Sequence, residues 1–237
     1  MMTNAKILWL LALPVALSAV ARAQTVLMGW DVNGTTESAT SLTAATFGSN
    51  VSQSSPSGVL SRGTGAASPG NVSSNAFGAS GFTATTLDNA IAASDYFTFS
   101  ITVNSGYAMT LSSLTIKLND TTNGPTGGAL FSSVGGFASS SAAIQSFTLT
   151  GNSSNDRSIT LSTGSFSNLT GTVEFRIYAY GGAGSSSTDK LRVRDLSGND
   201  LTISGTVSAI PEPATVATWL GAFALGAAVI AKSRRKR

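Results

Sequence analysis

The sequence predicts an all-β protein, an antiparallel jelly-roll-like β-sandwich, and three observations carry that expectation. Apolar and polar residues alternate at period two through much of residues 24–209, the pattern of strands with one buried and one wet face. Clusters of Gly, Ser and Asn punctuate these runs as turns, at 119–128, 151–156 and 181–189. Convincing helical periodicity is confined to residues 86–93, where Leu87 and Ile91 stand four apart. Residues 24–209 suffice for one hydrophobic core and show no repeat of about 20–50 residues. They are therefore read as a single domain of roughly eight to eleven strands in two packed sheets.

The elements follow in chain order. Lys6 precedes an apolar run at 7–20, and Ala21-Arg22-Ala23 places small residues, Ala21 and Ala23, at the two positions a signal peptidase reads. Residues 1–23 are thus expected to be a secretory signal peptide, cut after Ala23 so that the mature chain begins at Gln24. The run of fourteen residues is short for a membrane span. Residues 49–81 are so rich in Ser, Gly and Ala that no clear strand emerges there. After the short helix, Phe97, Phe99, Ile101 and Val103 share one strand face, with Tyr96, Thr98, Ser100 and Thr102 on the other. In residues 109–118 the alternation changes phase, from Met109 and Leu111 to Leu114, Ile116 and Leu118, which requires a bulge or bend near Ser112-Ser113. Shorter patterns occur at Phe147/Leu149 and Ile159/Leu161. A longer one sets Val173, Phe175, Ile177 and Ala179 against Glu174, Arg176, Tyr178 and Tyr180. Leu191/Val193, opposed by Lys190, Arg192 and Arg194, and Leu201/Ile203 complete the set.

The C-terminal 28 residues, 210–237, have a different character. Residues 214–231 form an uninterrupted run of 18 uncharged, mostly apolar residues. As a helix this run would extend roughly 27 Å, close to the hydrocarbon thickness of a bilayer. Lys232, Arg234, Arg235, Lys236 and Arg237 follow at once, and a basic end of this kind stays cytoplasmic, leaving the body outside. Pro211-Glu212-Pro213 stands just before the span; its prolines keep it out of the helix as an extended, accessible stretch. This order of triplet, span and basic tail resembles the PEP-CTERM sorting signal of Gram-negative bacteria. Pro211, Glu212 and Pro213 match its signature, and Arg234, Arg235 and Arg237 its basic tail. The resemblance implies processing by an exosortase, a membrane-embedded transpeptidase-like enzyme, and association with exopolysaccharide, biofilm or floc formation. A permanent single-pass anchor is the alternative. The disposition of Trp30-Asp31, Asp95-Tyr96-Phe97, Gly136-Phe137, residues 173–176 and Leu191-Arg192-Val193 also looks like bodies attached to such tails.

Composition narrows the chemistry. With His 0 and Cys 0, the chain has no disulfide, no thiolate nucleophile, no Ser-His-Asp triad and no histidine or cysteine metal ligand. Residues 24–209 carry seven basic and ten acidic side chains, so the body is mildly acidic and the basic surplus belongs to the two ends. Nucleic acid is not expected as a partner. Glu174 is the best-placed acid, on a strand face with Arg176 and Tyr178. A glycosidase would need a second carboxylate about 5–10 Å away, and an ordinary pairing with Arg176 explains Glu174 equally simply. Tyr178 and Tyr180 with Arg176 suggest a stacking platform for sugar rings, although tyrosine is also simply a good strand residue. Asp31-Val32-Asn33-Gly34 offers oxygens at i and i+2, but Thr35, Thr36 and Glu37 do not complete a calcium loop. A turn closed by Asp31 or Asn33 is the simpler reading. Asp189, Asp195 and Asp200 form a second, weaker acidic group. No cofactor and no metal is expected.

Together these readings describe an exported protein handled by signal peptidase and then by an exosortase. It would be anchored in the inner membrane through residues 214–231 before release to the cell surface or matrix. Its body is expected to be non-catalytic and to bind exopolysaccharide, with a carboxylate-dependent glycan hydrolase as the alternative.

Overall fold

The computed structural model describes residues 24–211 except 71, 162, 163 and 184–188. The expected signal peptide with Ala21 and Ala23, the residues Glu212 and Pro213, the span at 214–231 and the basic tail lie outside the described residues. Among the described residues no helix is long and apolar enough to cross a membrane.

The described chain is mostly antiparallel sheet. Its first strands are β1 (Thr25–Trp30), β2 (Ser41–Thr43), β3 (Thr46–Phe47), β4 (Val59–Arg62) and β5 (Ala76–Ser80), followed by helix α1 (Leu87–Ala93). The middle holds β6 (Tyr96–Thr102), β7 (Tyr107–Ile116), β8 (Leu118–Asp120), β9 (Gly127–Ser132) and β10 (Gln145–Thr148). The chain closes with β11 (Arg157–Thr160), β12 (Thr172–Tyr180), β13 (Lys190–Arg194) and β14 (Leu201–Ala209). The helix forms where the apolar spacing predicts it. Thr86 caps it by accepting from the Asn89 N–H, and Ser94 ends it in a left-handed conformation.

Two layers face each other. One is a five-stranded sheet in the order β11-β7-β14-β1-β3, and the other a six-stranded sheet in the order β10-β9-β12-β6-β4-β2. A three-stranded sheet, β5-β13-β8, continues the first layer, because β7 passes into β8 through Lys117 and β13 leads on to β14. Four antiparallel pairs nest within one another: β1 with β14, β6 with β12, β7 with β11 and β9 with β10. The chain therefore behaves as one long hairpin, running out through β1, β6, β7 and β9 and returning through β10, β11, β12 and β14.

One apolar core lies between the layers. Trp30 of β1 is fully buried, meets Phe99 of β6 edge-on at 5.5 Å, and donates its indole N–H to the Gly58 carbonyl at 2.9 Å. Phe77 of β5 and Phe82 pack on Phe97 of β6 at 5.8 and 6.0 Å, which ties the three-stranded sheet to the second layer. The inward sets Phe97/Phe99/Ile101 and Val173/Phe175/Ile177/Ala179 are all buried, as their alternation predicts. The phase change in β7 is a bulge: Ser113 pairs with Ser204 and Leu111 with Gly205, so Ser112 stands unopposed.

Four expectations are corrected. The roughly eight to eleven strands in two sheets become fourteen strands in three sheets among the described residues, because the three-stranded sheet separates from the first layer in its pairing. The Ser/Gly/Ala-rich stretch at 49–81 holds two strands, β4 and β5; small residues suit β5, all of it buried, since Gly78 leaves room for a side chain above it. The face opposite Leu191 and Val193 is not wet. Glu37 is fully buried against it, ion-paired with Lys190 at 3.0 Å and Arg192 at 3.6 Å, and Lys190 is itself buried. Tyr178 also leaves the wet face, because α1 and the aromatic residues around it form a second, smaller apolar cluster over β9 and β12.

Candidate functional site

Strand β12 lies between β9 and β6 in the six-stranded sheet. Its alternation sends Glu174, Arg176, Tyr178 and Tyr180 to the outer face, and their fates differ along the strand. Glu174 is half-buried. Its Oε1 accepts from Arg176 Nε at 2.7 Å and from Thr98 Oγ1, on the neighbouring strand β6, at 3.0 Å. Oε2 has no partner among the described residues. Arg176 is clamped between two rings, its guanidinium carbon 4.5 Å from the Tyr96 centroid and 4.0 Å from that of Phe137, and it donates through Nη1 to the Tyr178 hydroxyl at 3.3 Å. Burial alone would lower the affinity of Arg176 for its proton, but the bonds to Tyr178 and Glu174 outweigh it and raise the pKa above the ordinary arginine value. The cation is permanent, and it is engaged with Glu174.

Tyr178 is only 1% exposed, T-shaped against Tyr96 at 5.0 Å and Phe131 at 5.1 Å. Burial pushes its hydroxyl pKa up, opposed by the bond from Arg176. Tyr180 is separated from Arg176 by Tyr178 and lies over Gly127, beside a shallow groove of about 260 Å³ with Thr126, Ser146 and Thr148. The stacking platform expected from Arg176, Tyr178 and Tyr180 is therefore not formed: Tyr178 is buried and Arg176 is already engaged with the Tyr96 and Phe137 rings. Phe137, the second ring over Arg176, entered the sequence reading only within the Gly136-Phe137 pair of the family resemblance, with no role at a site.

A second groove, of about 300 Å³, opens beside Glu174 on the same outer face. It is lined by Ser55, Pro56, Ser61, Thr98, Thr172 and Glu174 among others. Among the described lining residues Glu174 is the one ionisable group, so no second carboxylate shares this groove with it.

The acidic residues divide into two places. Asp31, Asp195 and Asp200 come together at the far end of β14, with carboxylate oxygens within 4.8 Å of one another. Their geometry is that of a structural knot. Asp31 closes a turn by accepting from the Asn33 N–H at 2.8 Å, while the buried Asp200 accepts from Val32 N, Leu196 N and Lys117 Nζ. Asp189 is buried elsewhere, close to Gly182. At the other end of β14, Ile210 and Pro211 are exposed, and the Ile210 N–H donates to Gly106 O at 2.8 Å.

The sequence matches no family model and no curated protein.

Proposed function

We propose that this chain is an exported bacterial surface or extracellular-matrix protein, sorted through a PEP-CTERM-like signal by an exosortase, with a non-catalytic β-sandwich that binds exopolysaccharide. One observation carries the reading: among the described residues the first strand begins and the last strand ends next to the two sorting segments read from the sequence. Strand β1 starts at Thr25, one residue after the expected mature N-terminus, and β14 ends at Ala209, directly before Ile210 and Pro211. The exposure of Ile210 and Pro211 supports access by a processing enzyme at the triplet that Pro211 opens. In this reading signal peptidase removes residues 1–23, and residues 214–231 hold the chain in the inner membrane until an exosortase acts. The body then passes to the cell surface or matrix.

We infer, further, that the body is a jelly roll. The nested pairing of four strands out and four back, wrapped into two facing sheets, supports this. That architecture is shared by lectin domains among others, an analogy of fold that leaves the function to be argued from the site. The groove beside Glu174, in which that one carboxylate stands among hydroxyl and apolar side chains, favours a binding role, since carboxylate-based glycoside hydrolysis takes two acids across the scissile bond. The test is incubation of the full-length protein with purified exopolysaccharide, following co-sedimentation and the release of reducing ends. Binding without turnover is expected. Release of reducing ends, abolished by Glu174→Gln, would overturn the non-catalytic reading.

A further inference from the structure

Resting on the reading of the body as a glycan-binding module, we propose that the groove beside Glu174 is a subsite for one uncharged sugar ring of a longer chain, with Glu174 Oε2 accepting its hydroxyls. A carboxylate oxygen offers two lone-pair positions. Oε1 is engaged by Arg176 at 2.7 Å and faces the Thr98 hydroxyl at 3.0 Å, whose single proton is shared with the Phe175 carbonyl at 3.2 Å, whereas Oε2 is unengaged among the described residues. The side chain is thus held in one orientation while keeping room for one or two donors. An ionised carboxylate accepts and cannot donate, so its ligand must bring hydroxyl or amide hydrogens.

The surroundings select the same chemistry. Ser55, Ser61 and Thr172 supply neutral hydroxyls along the groove, and Pro56 and Val59 supply an apolar wall for the C–H face of a ring. Arg176 does not invite an anion. Its charge is paired with Glu174, its guanidinium carbon lies over the Tyr96 and Phe137 rings, and it is not among the described residues that line the groove. A uronate or sulfate placed in the groove would meet a carboxylate with no free cation lining the groove beside it, among the described residues. The volume, about 300 Å³, is at the lower end for ligand pockets, which suits one ring of a chain continuing past an open groove.

The experiment presents the full-length protein, solubilised in detergent, to immobilised neutral oligosaccharides (glucans, galactans and mannans) and to alginate and polygalacturonate. Wild type is compared with Glu174→Gln and Ser61→Phe, the second filling the groove while leaving the Glu174–Arg176 pair intact, and thermal melting verifies that each variant is folded. Neutral glycans are expected to bind, with affinity falling roughly ten- to hundredfold in Glu174→Gln, as for loss of hydrogen bonds to a charged group, and at least as far in Ser61→Phe, whose ring occupies the groove. Neutral binding unchanged in both variants would overturn the subsite and leave the glycan-binding reading standing. Preference for the uronates would overturn the neutral class. Binding to none of these polymers would overturn the subsite together with the reading on which it rests.

Discussion

Glu37 sits fully buried over β5, where Gly78 makes room: a Cβ added there would lie 2.6 Å from Glu37 Cγ. Its charge is met by Lys190 at 3.0 Å and Arg192 at 3.6 Å, with the Ser73 N–H donating to Oε2. Removing one partner from such a group leaves uncompensated charge out of water. Glu37→Gln is therefore expected to cost about 3–5 kcal/mol in chemical denaturation; a loss below about 1 kcal/mol would show that the cluster is hydrated in solution. Asp120 makes a different prediction. It is buried, Oδ1 accepts from Asn155 at 2.7 Å, and Oδ2 has no partner among the described residues. Burial pushes its carboxyl pKa up. The folded state then holds the proton more tightly than the unfolded chain, so its favourable contribution is complete below the ordinary aspartate value of about 4 and is lost as pH rises through the folded value. The melting temperature of Asp120→Asn relative to wild type should accordingly increase from acidic to neutral pH. A difference independent of pH would contradict this. Neither residue could be singled out in the sequence, because a lone acid in a Ser/Thr-rich segment reads the same whether it is solvated or covered by a distant loop. Glu174 was legible, since its alternation partners lie within the same strand; Tyr178 was not, since what covers it comes from residues roughly 35 to 95 positions earlier.

At the level of elements, what was local was legible. The core strands β6 and β12, the bulge at Ser112 and the helix α1 all follow from spacings of two to four residues. Among the strands that periodicity missed, β5 consists largely of small residues, and its burial, like that of β4, is decided by long-range pairing, β5 with β13 and β4 with β6. Pairing between layers was equally hidden. Trp30 joins the two layers through one indole hydrogen bond and one edge-on ring contact. Trp30→Phe keeps most of the apolar contact but removes one of two donors from the Gly58 carbonyl, which retains the Ala44 N–H at 2.7 Å, and is expected to cost about 0.5–1.5 kcal/mol. Urea denaturation measures this directly, and an unchanged midpoint would mean that the indole bond contributes nothing to joining the sheets.

Taken whole, the described residues begin and end on adjacent strands of one sheet: β1 opens beside Gly205 of β14, and the chain runs on from the end of β14 to Pro211. A body tethered there would leave the outer face of the six-stranded sheet, with the Glu174 groove, in the other layer. The separate charge of the ends, legible at once in the sequence, fits a protein whose basic residues serve transport and whose mildly acidic body serves outside. The central claim is that the C-terminal segment is a sorting signal that is removed. It is tested most directly by mass spectrometry of the C-terminal peptide of the mature protein, recovered from cells that possess an exosortase. The account predicts a chain that ends near Pro211-Glu212-Pro213 and lacks residues 214–237; a mature protein that still carries residues 214–237 would contradict it and leave a permanent membrane anchor.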